Sequence, residues 1–264
     1  MALLSTAPMR SSALRKIEIN CDMGEGFGRW KMAPDDELMA LVDVANIACG
    51  FHAGDPSLMR KTVSLAKLKK VRVGAHPGLQ DLVGFGRRRM EIDPEDLYSM
   101  VLYQIGALKA FLDAEGMPMN HVKPHGELYF YMQRDPAIME AVIRATAVYG
   151  VPMYGAKSEV QKSMCAKYGL SFIEEAYVDL QYSKEAKLLS VAQSNVATPQ
   201  DIYTRAFSIA TNDNIIDKEG NLVTIGFKGQ PFSFCIHSDM PTAFENTKAC
   251  RKAVDEVNSK LGWS

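Results

Sequence analysis

Four of the chain's five histidines stand where an apolar run gives way to a turn. They lie in Gly50-Phe51-His52-Ala53-Gly54-Asp55, Gly74-Ala75-His76-Pro77, Lys123-Pro124-His125-Gly126 and Phe234-Cys235-Ile236-His237. Imidazole suits both proton transfer near neutral pH and ligation of divalent zinc, manganese or iron. No His-x-x-x-His spacing decides between the two roles. Asp22 and Glu25 follow another apolar run, where a carboxylate serves as general base, metal ligand or loop cap. Lys123 is either an oxyanion stabiliser beside a carboxylate or half of a structural ion pair. Arg87, Arg88 and Arg89 offer bidentate bonds to a carboxylate or phosphate, although three adjacent arginines cannot all face one ligand. Cys49 precedes Gly50-Phe51-His52 and reads as a nucleophile beside a base or as a small buried residue.

These residues meet only if the fold carries them to one place. Strands are expected at Ile17–Asn20, Ala45–Cys49, Val71–Ala75, His121–Lys123, Val151–Gly155, Ser171–Ala176 and Phe232–His237. Helices are expected from Asp35, over Pro56–Lys70, Pro94–Glu115, Asp135–Tyr149, Ser158–Tyr168 and Thr198–Ala210, and from Pro241 to Leu261. Cys21–Gly28 and Asp81–Arg89 read as polar loops, and Tyr177–Ala197 and Asn212–Gln230 as less regular stretches with a hairpin turn at Lys218–Asn221. Roughly seven alternations of strand and helix predict a parallel sheet under helices, closed into a barrel. Ligands then bind at the C-terminal ends of the strands, where Asp22, Glu25, His52, Asp55, His76 and His125 would converge. His121 is expected at the other end of the barrel in a structural role. Strand alternation is read as placing one of His121 and Lys123 inside and the other outside.

The chain has 264 residues, net charge −1, 47% hydrophobic and 23% charged residues, an ordinary globular composition. Nothing in it argues for nucleic acid or membrane partners. Five cysteines without a Cys-x-x-Cys pair read as reduced thiols in a cytoplasmic protein. Residues 1–15, Ser/Ala-rich with Arg10 and Arg15, read as a disordered tail or, less simply, an organelle-targeting segment. Residues 16–264 then form one barrel domain. Gly24-Glu25-Gly26-Phe27-Gly28 is a poor dinucleotide fingerprint, and no Gly-x-x-x-x-Gly-Lys-Ser/Thr loop occurs.

The segments Asn20-Cys21-Asp22-Met23-Gly24-Glu25, Ala45 to Asp55, Gly74 to Pro77, Phe85-Gly86-Arg87-Arg88, Tyr103 to Leu108 and Val122 to Gly126 with Leu128-Tyr129, in this order, resemble the LamB/YcsF family. The likeness runs over nearly all of the chain from Lys16, and the eleven-residue stretch Ala45–Asp55 is its most specific part. It implies an irregular seven-stranded (β/α) barrel of the glycoside hydrolase/deacetylase kind. It also implies hydrolysis of a cyclic amide, 5-oxoproline or a related lactam, coupled to ATP only through separate partner subunits. The family's motif residues carry over onto Asp22, Glu25, His52, Asp55, His76, Lys123 and His125. Asp22 or Glu25 is expected as base, Lys123 as electrostatic stabiliser, and His52, His76 or His125 as acid. Substrate contacts are expected from His76, Arg87, Arg88 and His237. No cofactor is demanded, but a divalent metal, zinc or manganese, has Asp22, His52, His76 and His125 as candidate ligands.

One region departs from the family's pattern. The usual Glu-x-Phe-Ala-Asp-Arg-x-Tyr is here Glu175-Ala176-Tyr177-Val178-Asp179-Leu180-Gln181-Tyr182, and a Leu-Val-Pro-Arg segment is Leu188-Leu189-Ser190-Val191. The usual Leu-His-Gly-Asp is Ile236-His237-Ser238-Asp239. Two guanidinium groups are gone, each worth roughly 1.5–3 kcal/mol to an anionic ligand. The expected substrate is therefore less anionic than 5-oxoproline. Alternatives are a metal-dependent lyase, isomerase or deacetylase, and a non-catalytic partner subunit.

Overall fold

The computed structural model describes residues 16–227 and 229–262; the expected N-terminal tail, residues 1–15, lies outside them. Strands β1 (Glu18–Met23), β2 (Val44–Ala48), β3 (Arg72–His76), β4 (Met119–Val122), β5 (Met153–Ala156) and β6 (Phe172–Tyr177) lie side by side in chain order. After an excursion, β9 (Phe232–Ile236) pairs in parallel with both β6 and β1 and closes a seven-stranded barrel. The excursion holds the antiparallel pair β7 (Asn214–Ile216) and β8 (Leu222–Thr224). Its turn is organised by Asp217, which accepts from the Glu219 and Asn221 backbone N–H groups at 2.9 and 2.8 Å, so the expected hairpin is present.

Local chemistry explains the helices. Proline occupies the first turn of α2 (Pro56–Lys69), α3 (Pro94–Ala114), α5 (Pro136–Ala147) and α7 (Pro199–Asn212). Asp55, Asp93, Asp135 and Thr198 precede these prolines and accept from exposed N-terminal N–H groups. α6 (Glu159–Lys167) and α8 (Ala243–Lys260) complete the outer layer. The helix expected from Asp35 is the single turn α1 (Asp35–Leu38), because the chain must re-enter the barrel at Val44. An unexpected helix, α4 (Gly126–Arg134), follows β4 and buries Leu128 and Met132. Pro136 cannot continue it, so Asp135 ends α4 and caps α5.

β1 continues through Cys21, Asp22 and Met23, which were expected in a loop. Cys21 and Met23 pack into the apolar core, and Asp22 points into the barrel, where Lys123 and Asn46 satisfy it. His121 and Lys123 both point inward, since residues two apart share a strand face. The expectation that they face opposite ways was wrong. His121 lies beneath the site, its Nε2–H donating to Asn46 Oδ1 at 2.7 Å. Gly74 gives it room: a Cβ there would stand 2.1 Å from the imidazole.

Asp35 supplies a test of local electrostatics. Its Oδ2 accepts from Gly24 N at 3.1 Å, and burial pushes its carboxyl from 3.8 up to about 6. A raised carboxyl contributes stability that is complete below pH ~4 and lost as pH rises through about 6. Asp35→Asn is therefore expected to stabilise the fold by roughly 1–3 kcal/mol at pH 7.5 and by almost nothing at pH 3.5. Denaturant titrations at both pH values check this; an equal gain at both would contradict it.

Candidate active site

Asp22 and Lys123 form the floor of the barrel mouth. Lys123 Nζ donates to Asp22 Oδ1 at 2.7 Å, and Asn46 Nδ2 donates to the same oxygen at 2.8 Å. Asp22 Oδ2 is left facing His76 Nε2 at 3.4 Å and His237 Nε2 at 4.0 Å. Burial opposes ionisation of Asp22, but His76 and Lys123 outweigh it and hold its carboxyl well below the ordinary range. Burial likewise opposes the charge on Lys123, and Asp22, Cys235 and Glu175 hold its ammonium well above its usual value. The pair is a fixed carboxylate and a fixed cation buried from bulk solvent.

Beside it lies a cluster of three imidazoles and Glu25, whose candidate ligand atoms all fall within 4.8 Å of one another. His76 Nδ1–H donates to the Lys123 carbonyl at 2.7 Å, and His125 Nε2–H to the Phe85 carbonyl at 2.8 Å. A carbonyl can only accept, so each bond fixes a proton on that ring nitrogen. With both rings neutral, the remaining nitrogens, His76 Nε2 and His125 Nδ1, would face each other lone pair to lone pair at 2.9 Å. That arrangement holds only with a proton or a cation among them. Glu25 Oε1 completes the group, 3.2 Å from His52 Nε2 and 3.3 Å from His125 Nδ1. Burial, then Asp22 and Asp239, push the Glu25 carboxyl well above its usual range, so without a cation it is itself a proton source. His52 stacks on His125 with ring centroids 3.7 Å apart. Burial and the neighbouring imidazoles hold both rings well below the usual imidazole value. A carboxylate and three imidazoles with second-sphere carbonyls suit a divalent cation of the zinc or manganese type. Asp22, expected as a ligand, is engaged by Lys123, and Glu25 takes that place in the group.

A cavity of about 210 Å³ opens above the pair. Asp22, His76, Lys123 and His125 line its floor, Arg87 and His237 its sides, and Tyr129, Tyr177, Leu180 and Val191 much of its apolar wall. Leu180 and Val191 are the two positions at which the resemblance leads one to expect an arginine, and both lie on this wall. His237 is held by Asp179, whose Oδ2 accepts from both His237 N at 2.6 Å and Nδ1 at 3.0 Å. Burial would lower the His237 imidazole, but Asp179 outweighs it and raises it. Arg87 reaches the wall paired to Asp239 at 2.7 Å.

Two expected roles change, and the open reading of Cys49 resolves to the small buried residue. Asp55 is the N-cap of α2, its carboxylate taken by the N–H groups of Ser57, Leu58 and Gly28. Arg88 turns away from the cavity to Asp81. Cys49 is buried at a strand end, its thiol pushed up to about 12 by burial, which removes the thiolate a nucleophile needs. Sequence reasoning passed over Glu175, Tyr177, Asp179 and Asp239. Glu175 lies 3.8 Å from Lys123 and accepts from Tyr177 OH at 3.0 Å. Their signal was position: Glu175 lies toward the C-terminal end of β6, at the barrel mouth, and Asp239 just past the end of β9.

Fold and site together define a closed parallel barrel whose mouth holds a buried ion pair, an imidazole–carboxylate cluster and a small cavity. The family model for the LamB/YcsF family matches residues 17–262, and the chain belongs to that family. It is 41% identical over 257 residues to the lactam utilization protein lamB of Emericella nidulans, covering 97% of this chain and 100% of that one. It is 42% identical over 248 residues to a 5-oxoprolinase subunit of Vibrio vulnificus, covering 92% and 99%. The solved lactam utilization protein of Thermus thermophilus superposes with a TM-score of 0.84 at 38% identity, covering 92% and 98% of the two chains.

Proposed function

We propose that the protein opens the ring of a cyclic amide, 5-oxoproline or a related lactam, and that its preference is shifted toward neutral rings. The observation that carries this is the cavity of about 210 Å³ seated on the Asp22–Lys123 pair and walled by Leu180 and Val191. Lactam hydrolysis needs an activated water, a stabilised oxyanion and a proton for the leaving nitrogen. Asp22 Oδ2, the oxygen not held by Lys123, takes the proton of the water. The Lys123 ammonium, fixed and poorly hydrated, balances the growing negative charge. His237, oriented by Asp179, presents Nε2 to the cavity and protonates the nitrogen. A zinc or manganese ion on Glu25, His52, His76 and His125 would supply Lewis acidity at the carbonyl or water.

The relatives named as a subunit of 5-oxoprolinase support separate partner subunits, and any use of ATP is proposed to lie on those. This sequence itself carries no P-loop. Arg87 is matched by Asp239, so among the described residues the wall has no unpaired guanidinium for a substrate carboxylate.

The test is thermal shift with 5-oxoproline, 2-pyrrolidinone and other neutral lactams, followed by product analysis with partner subunits and ATP. Neutral lactams are expected to raise the melting temperature more than 5-oxoproline does. Leu180→Arg and Val191→Arg are each expected to tighten 5-oxoproline about tenfold or more. Tighter binding of 5-oxoproline than of neutral rings by the unchanged protein would overturn the shifted preference. Ring opening of none of them would overturn the lactam assignment and favour a metal-dependent deacetylase, lyase or isomerase.

A further inference from the structure

We infer that Arg88 and Asp81 are positioning residues: their ion pair shapes the loop that sets the tautomer of His125. The inference rests on the cation-site reading of the cluster above and extends it to residues that touch neither cavity nor cluster.

Asp81 is buried while Arg88 is an exposed side chain, 64% accessible. Arg88 Nε donates to both Asp81 oxygens, at 2.9 and 3.1 Å, and its Nη2 bonds Oδ1 as well. The same carboxylate accepts from Gly84 N at 2.9 Å and Arg88 N at 3.4 Å, and the Asp81 carbonyl from Gly86 N at 2.9 Å. The Arg88 bonds tie one end of the 81–88 loop to the other, and those from Gly84 and Gly86 tie its middle back to Asp81. Only the Arg88 head is open to solvent, which screens the pair, and its bonds fix the shape of the loop.

That geometry is unusual at its tip. Phe85 has φ 55, in the left-handed region that a bulky side chain avoids. The turn aims the Phe85 carbonyl at His125 Nε2, 2.8 Å away, and sets the Phe85 ring edge-on to His52 and His125. Gly86 follows with φ 64, and a Cβ there would stand 2.6 Å from His52 Cβ. The Gly86 carbonyl then accepts from Glu127 N at 3.0 Å, at the start of α4. With the clasp closed, the His125 proton sits on Nε2 and the Nδ1 lone pair points at His76 Nε2 and Glu25. With it open, Phe85 relaxes out of the left-handed region, the carbonyl swings away and either nitrogen of His125 can carry the proton. Second-sphere partners of this kind typically tune metal affinity 10–100-fold.

The experiment compares the full chain with Arg88→Ala and Arg88→Lys. Long-range ¹H–¹⁵N NMR of the histidine rings reports which nitrogen of His125 is protonated, its signal assigned by loss in His125→Gln. Zinc affinity is measured separately by competition with a chromophoric chelator. The unchanged protein is expected to show Nε2–H alone. Arg88→Ala is expected to show mixed tautomers and about 10–100-fold weaker zinc binding, with Arg88→Lys in between. Circular dichroism establishes that each variant is folded, and Asp81→Asn serves as the second variant if Arg88→Ala is not. Retention of pure Nε2–H and unchanged zinc affinity in the variants would overturn the positioning role and leave the cation site standing. A tautomer shift in a protein that takes up no zinc would do the reverse, removing the cation reading and keeping the positioning role.

Discussion

Lys123→Met is expected to abolish turnover and to lower stability by about 3–5 kcal/mol, because it leaves Asp22 as an uncompensated charge in the barrel. Asp22 is 1% exposed and its Oδ1 keeps only the Asn46 donor once the ammonium is gone. For a chain of this size the melting temperature should fall by about 10 °C. The double variant Asp22→Asn/Lys123→Met separates charge from shape. Removing both members of a buried pair relieves the stranded charge, so most of the stability should return while turnover stays absent. Denaturant titration of the single and double variants, read beside product formation, checks both halves. A Lys123→Met protein as stable as its parent would mean that Asp22 is not held as an anion, and the base assigned to it would go with that.

A second large effect is expected at the imidazole cluster. Purified protein dialysed against zinc or manganese should retain about one ion per chain by elemental analysis, and chelation should lower its melting temperature. A ligand held at a thousandfold excess over its Kd stabilises the native state by about 4 kcal/mol. His76→Ala, His125→Ala and Glu25→Gln should each reduce the retained metal to background. Asp22→Asn should keep it, since the four donors that lie within 4.8 Å of one another do not include Asp22. The contrast between the two carboxylates is the sharp part of the test. Metal lost in Asp22→Asn but kept in Glu25→Gln would restore the ligand set read from sequence and sink the one read from geometry.

Much of the barrel was legible along the chain, and for local reasons. Proline after Asp or Thr marks the first turns of α2, α3, α5 and α7, and capping needs only neighbours a few positions away. Apolar runs between those helices had to be strands buried on both faces. A parallel barrel gathers strand ends, so His52, His76, Lys123 and His125 could be expected together. The local signal failed where two local readings competed. Asp22 looked like a loop residue because a lone carboxylate has no place in a buried strand, and α4 was missed because Pro136 drew attention to the helix after it.

The amino-acid sequence by itself determined the strand and helix alternation, the caps that start the helices and the set of chemically able residues at the barrel mouth. Only the tertiary structure decided which of them act on each other. Asp22 meets Lys123 across 101 positions of chain, and Arg88 meets Asp81 instead of the cavity. The His76 and His125 tautomers are set by the carbonyls of Lys123 and Phe85, groups that every residue carries and that leave no mark in composition or spacing. The physical reason is range. Propensity and capping act over a few residues and can be read along the chain. Charge pairing and the direction of a hydrogen bond act over a few ångströms of space, and the closed barrel alone brings those ångströms about.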